Sequence, residues 1–114
     1  MSGRKNTVPV TIGNGQAVSN VADLVDAIPV AVVVPSTWTT ADLTFQTSDD
    51  GRAYHDVYDE GGSELTVKAT AGAWLIIPDA YACGFGRYVK VRSGTAASPV
   101  NQAAAREVKI IVAR

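Results

Sequence analysis

Polar and apolar residues alternate along much of this chain with the two-residue period of a β-strand. Between Asp42 and Ser48, Leu43, Phe45 and Thr47 fall on one face and Thr44, Gln46 and Ser48 on the other. The period recurs in ELTVKA (64–69), with Leu65, Val67 and Ala69 over one buried face. It recurs again in GRYVKVRS (86–93), which turns Val89 and Val91 inward and Tyr88, Lys90 and Arg92 outward. Two runs are apolar without interruption. PVAVVVP, closed by Pro29 and Pro35, suits a central strand covered on both sides, and AWLIIP after Gly72 suits another inner strand with Trp74 in the core. EVKIIVA (107–113) is the closing strand, paired inside a sheet because Ile110, Ile111 and Val112 are costly to leave in water. Only SNVADLVDAI offers helical spacing, with Val21, Leu24, Val25 and Ile28 behind a capping Ser19. It reads as a short helical turn or as a bent strand.

The breaks between these segments set the fold class. Asp50 and Gly51 form a hairpin signal inside TFQTSDDGRAYHDVYD, because glycine accepts a positive φ and aspartate tolerates one. Asp59 to Ser63 is a second polar break, and GTAASPVNQAAA is a small-residue connection without a strand pattern. The count comes to about seven or eight strands with a turn signal roughly every 8 to 14 residues, the spacing of an antiparallel β-sandwich or jelly roll. The chain is therefore expected to be all-β. Residues 9–114 form one sandwich domain, and residues 1–8 form a flexible N-terminal arm that orders on a neighbour by strand addition or is simply frayed.

Composition narrows the function classes. At 114 residues the chain is long enough to bury a core without disulfides or metal, and the 46% hydrophobic and 18% charged content is that of a globular domain. A net charge of -1 argues against binding nucleic acid through many phosphates. The apolar runs fall well short of the roughly 20 residues that span a bilayer, and MSGRKNTVPV lacks the apolar core of a signal peptide, so no membrane partner is expected and folding takes place in a cytoplasm. The single cysteine, Cys83, permits no internal disulfide and reads as a small buried residue.

No catalytic constellation emerges, and no cofactor or metal is expected. The single histidine, His55, sits among Tyr54, Asp56 and Tyr58 as part of a strand face, and no G-x-S-x-G is present. Asp49, Asp50, Asp56, Asp59 and Glu60 lack the spacing of a calcium loop and read as solvated turn residues. Residues that would meet a partner are Arg4, Lys5 and Asn6 in the arm, together with Trp38, which is either a lid over the end of the sandwich or an exposed contact. Asp50 and Gly51 have structural turn roles.

Two stretches carry a family resemblance. LTFQTSDDGRAYHDVYD, through Ser48, Asp50, Gly51 and Tyr54, resembles the strand-turn-strand segment of galactose-binding-like, discoidin-type jelly rolls. GRYVKVRSG, through Arg87, Tyr88, Val89, Lys90 and Val91, resembles a later strand of that fold, and EVKIIVA its closing strand. The whole chain, with PSTWTTADLTFQTSDDG, RYVKVRSG and PVNQAAAREVKIIVAR, also resembles small virion proteins of tailed bacteriophages, of the head decoration or cement type. That resemblance implies a non-enzymatic structural protein on the capsid exterior, made in the bacterial host cytoplasm. Its partners would be the major capsid protein or other virion proteins, engaged as a homo-oligomer or in many symmetric copies. The alternative is a carbohydrate- or receptor-binding module of a tail fibre or virion surface, with a glycan as ligand.

Overall fold

A computed structural model describes residues 5–114. Its strands are β1 (Lys5–Ile12), β2 (Ala22–Asp23), β3 (Ile28–Val33), β4 (Leu43–Ser48), β5 (His55–Asp56), β6 (Trp74–Ile76), β7 (Tyr88–Ser93) and β8 (Arg106–Ala113), with one helical turn, α1 (Asp79–Ala82). They form two antiparallel four-stranded sheets, sheet A in the order β1-β8-β3-β6 and sheet B in the order β2-β7-β4-β5. The first strand thus lies beside the eighth, the second beside the seventh, the third beside the sixth and the fourth beside the fifth. This is a long hairpin rolled up on itself, the topology of an eight-stranded jelly roll. The expected all-β sandwich is what the chain forms.

Alternation decides which side chains meet between the sheets. Sheet A contributes Val10, Ile12, Val32, Val34, Val108, Ile110 and Val112, each at most 1% exposed, and sheet B answers with Leu43, Phe45, Val89 and Val91. Phe45 packs against Phe85 with ring centroids 5.3 Å apart and planes tilted by 50°. The connection GTAASPVNQAAA is held by fully buried Gln102, whose side-chain amide donates to Thr39 O at 3.1 Å and accepts from Thr39 N at 2.8 Å. A polar side chain there closes one end of the sandwich by imitating a strand neighbour.

Several expectations need correction. The free arm does not reach residue 8: Lys5 to Val8 belong to β1 and pair with Ala113 to Ile110, while residues 1–4 lie outside the described residues. Pro9 had disguised this strand. Thr11 exchanges bonds with Asn20 on the side away from β8, so odd residues of β1 direct their main-chain groups outward and Pro9 lacks a donor only where none is needed. SNVADLVDAI takes the bent-strand alternative, with β2 on β7 and the bend at Asp26, whose φ is 57°. ELTVKA keeps its alternation but forms isolated bridges, Val67 to Leu43 and Glu64 to Tyr58, in place of a continuous strand. Cys83 is exposed rather than buried, because α1 turns Ala82 inward in its place. Trp74 is not core: β6 is an edge strand, and its outer face is open.

Candidate functional site

The outer face of sheet A is apolar on its β3–β6 side, where an outer face is ordinarily polar, and carries Lys5, Thr7, Thr11, Glu107 and Lys109 on its β1–β8 side. Behind the core row Val8, Ile110, Val32 and Leu75, the register aligns Pro9, Lys109, Val33 and Trp74 in one outward row and Thr7, Ile111, Ala31 and Ile76 in the next. Trp74 is 59% exposed and Ile76 73%, the highest values among the exposed large hydrophobic residues. Such a patch is informative where a lone exposed leucine would not be. Trp74 walls a groove of about 320 Å³ that is floored by Val33 and Ile111 and bounded by Lys5, Asn6, Thr7 and Lys109. A second groove, about 270 Å³, runs from Trp74 past Ile76 to Asp79 and Ala113. Among the described residues, Lys109 makes no ion pair. The site is an apolar strip with an aromatic face, a β-branched neighbour and a primary ammonium, flanked further along β8 by Glu107.

The structure sorts the sequence-derived site residues. Arg4 lies outside the described residues. Lys5 and Asn6 line the same groove as Trp74, held there by the pairing of β1 with β8. Trp38 takes the lid alternative and is no partner contact: it is 5% exposed, and its Nε1–H donates to Ala41 O at 2.9 Å. Asp50 and Gly51 do organise the turn, although the loop from Asp49 to Tyr54 is wider than a two-residue hairpin. Asp50 Oδ1 accepts from the backbone N–H groups of Arg52 at 2.8 Å and Ala53 at 3.0 Å, bonds that hold its carboxyl below the ordinary range. Gly51 adopts φ 80°. Asp59 serves its own loop in the same way, accepting from Gly61 and Ser63.

Sequence reasoning also misjudged Arg92. It points to the outer side of sheet B, as expected, yet it is 5% exposed. Its guanidinium donates to Thr44 Oγ1 at 2.9 Å, to Asp56 Oδ1 at 2.8 Å and to Glu64 Oε2. Glu64 in turn accepts from Ala96 N. The network ties three strand segments and a loop together. It is a clamp, in which each of the three guanidinium nitrogens donates once to a group of the protein. His55 and Tyr58 are exposed beside the clamp, Tyr58 bridging Glu64 through the main chain; among the described residues, no group of three or more His, Cys, Asp or Glu side chains is arranged to hold a metal ion.

Trp74, Ile76 and Lys109 were legible only in part. An uninterrupted WLII reads as buried on both faces, but its confinement between Gly72 and Pro78 is the mark of a short edge strand. Compared with known proteins, the chain matches no family model, no curated protein and no solved structure.

Proposed function

We propose that this chain is a non-enzymatic structural protein of a tailed-phage particle that decorates or cements the capsid exterior, and that the outer face of sheet A is the surface it lays on its partner. The observation that carries the reading is the Trp74–Ile76 strip beside Lys109 on an otherwise well-closed jelly roll. Large apolar side chains left in water at one place on a rigid sheet gain free energy when a neighbour covers them. The phage resemblance of PSTWTTADLTFQTSDDG and PVNQAAAREVKIIVAR supplies the kind of neighbour, a shell protein presented in many copies, so that modest contacts add.

The test mixes the protein with capsids stripped of accessory proteins and counts bound copies per shell. Trp74→Ser and Ile76→Ser are expected to lower occupancy at least tenfold with the fold intact. Equal occupancy would remove this face from the reading, and failure of the wild type to bind any shell would remove the reading itself.

A glycan is the second reading, favoured by one feature. Trp74 presents an aromatic wall to a groove that also holds Asn6 and Thr7, the pairing of a stacking face with amide and hydroxyl groups that sugars use. Of the two tryptophans Trp38 is buried, so a sugar-induced shift in emission would report Trp74. A saturable shift abolished by Trp74→Ser would select the glycan, and a flat titration across a glycan panel would discard it.

A further inference from the structure

We infer that β6 is a homodimerisation edge, at which two copies join their A sheets edge to edge about a two-fold axis at Leu75. The inference stands on the backbone of β6 and is independent of the phage reading. Sheet A ends at β6, which is hydrogen-bonded to β3 on one side only. Ala73 O accepts from Val34 N at 3.1 Å, and Ile77 N donates to Val30 O at 3.0 Å. Residues 73, 75 and 77 therefore direct their main-chain groups to β3. By the alternation of an antiparallel ladder, the N–H and C=O groups of Trp74 and Ile76 point away from the sheet.

That edge is complementary to itself. Setting Leu75 opposite Leu75 of a second, antiparallel copy places Trp74 opposite the second copy's Ile76, and Ile76 opposite its Trp74. Each of these pairs then exchanges two N–H···O=C bonds. The same operation lays the indole against a β-branched side chain, a favourable cross-strand pair, and shields the facing flanks of the two residues that are 59% and 73% exposed. Like charges stay apart. Lys109 stands two strands in from the edge, so its copy lies five strand spacings away, about 24 Å, well beyond the screening length of about 8 Å.

The edges at β1 and β5 carry obstacles, whereas β6 is short but open. Along the free side of β1, Pro9 has no donor and Thr11 is occupied by Asn20. Beside β4 and β5, the edge of sheet B is continued by the segment carrying Val57, Leu65 and Val67, which bonds back to Leu43 and Phe45. On β6 the sequence is Trp-Leu-Ile, with no charge, proline or bulge to turn a strand away. Pro78 limits the new ladder to the two pairs, so the buried area falls below the roughly 1,200 Å² at the low end of stable interfaces and association is concentration-dependent.

Sedimentation equilibrium from about 10 µM to about 1 mM, bracketing association of this class, should show a monomer–dimer equilibrium. Ile76→Pro removes the donor directed away from β3 while leaving the β3–β6 bonds their donors, and should weaken association at least tenfold. Trp74→Ser should do the same with an unaltered edge backbone, and Tyr58→Ser, at an exposed aromatic outside the strip, should leave association unchanged. Amide exchange should slow at Trp74 and Ile76 as concentration rises. A monomer throughout the range, a stoichiometry above two, or association untouched by both Ile76→Pro and Trp74→Ser would overturn the proposal.

Discussion

The outer faces of the two sheets enclose the same core and are finished in opposite ways. On sheet B the outward rows are Thr44 with Arg92, Asp56 with Gln46 and Lys90, and Ser48 with Tyr88 and Asp23. Nearly every polar group in them meets a partner within the chain. Arg92 holds two carboxylates, Lys90 sits 4.2 Å from the Tyr54 ring centroid, and Arg87 forks onto Asp23 at 2.8 and 3.0 Å. On sheet A the matching rows hold Val33, Trp74, Ile111 and Ile76 with Lys109 beside them. One face has been completed by its own loops, and the other ends in unspent apolar surface. The polar network and the exposed apolar surface thus lie on different sheets, so substitutions can separate their effects.

The largest break in that contrast is Arg92→Leu. It strands Asp56 and Glu64 without their cation, and a loss of about 3 kcal/mol is expected in denaturant unfolding. Acid probes the same clamp more gently. Hydrogen bonding from Arg92 holds the Asp56 carboxyl below its ordinary range. The stability it brings is full above the unfolded value of about 4 and is lost as pH falls through the lower folded value. Melting temperature should therefore drop below about pH 4, and the drop should be shallower in Arg92→Leu. Gly51→Val adds strain at φ 80° and sets a Cβ 3.3 Å from the Tyr88 ring, so about 1 kcal/mol or more should be lost. Smallest of all is Trp74→Ser on the open face, expected within about 0.5 kcal/mol in dilute protein. A cost for Trp74→Ser as large as that for Arg92→Leu would erase the contrast between the faces.

Legibility in the sequence followed how many neighbours each strand has. The core-facing residues of β3, β4, β7 and β8 were readable because each of these strands pairs on both sides and shows its full alternation or an unbroken apolar run. Edge strands carry weaker signals. β1 hid behind Pro9, and β6 displayed a central-strand composition at an edge. At the site, Lys5 and Asn6 were named as partner contacts, and they do line the groove. Their companion is Trp74 instead of Trp38, because which tryptophan is covered depends on the rolling of the sheets, a long-range event that local pattern does not encode. Arg92 was misjudged for the same reason: its partners Asp56 and Glu64 lie 36 and 28 residues away in the chain.

The nested pairing of strands also sets the order in which this molecule can be made. β8 fills the gap between β1 and β3, yet it is the last strand of the eight along the chain. While a ribosome still holds β8, β1 has no ladder partner and the valines and isoleucines of sheet A are left in an incomplete layer. Closure then demands the longest loops the chain possesses, and topologies dominated by such distant pairings fold in milliseconds to seconds where local ones take microseconds. Through that interval the bare edge of β6 is already synthesised and unprotected, which makes crowded nascent chains vulnerable to mispairing before the barrel of strands has closed.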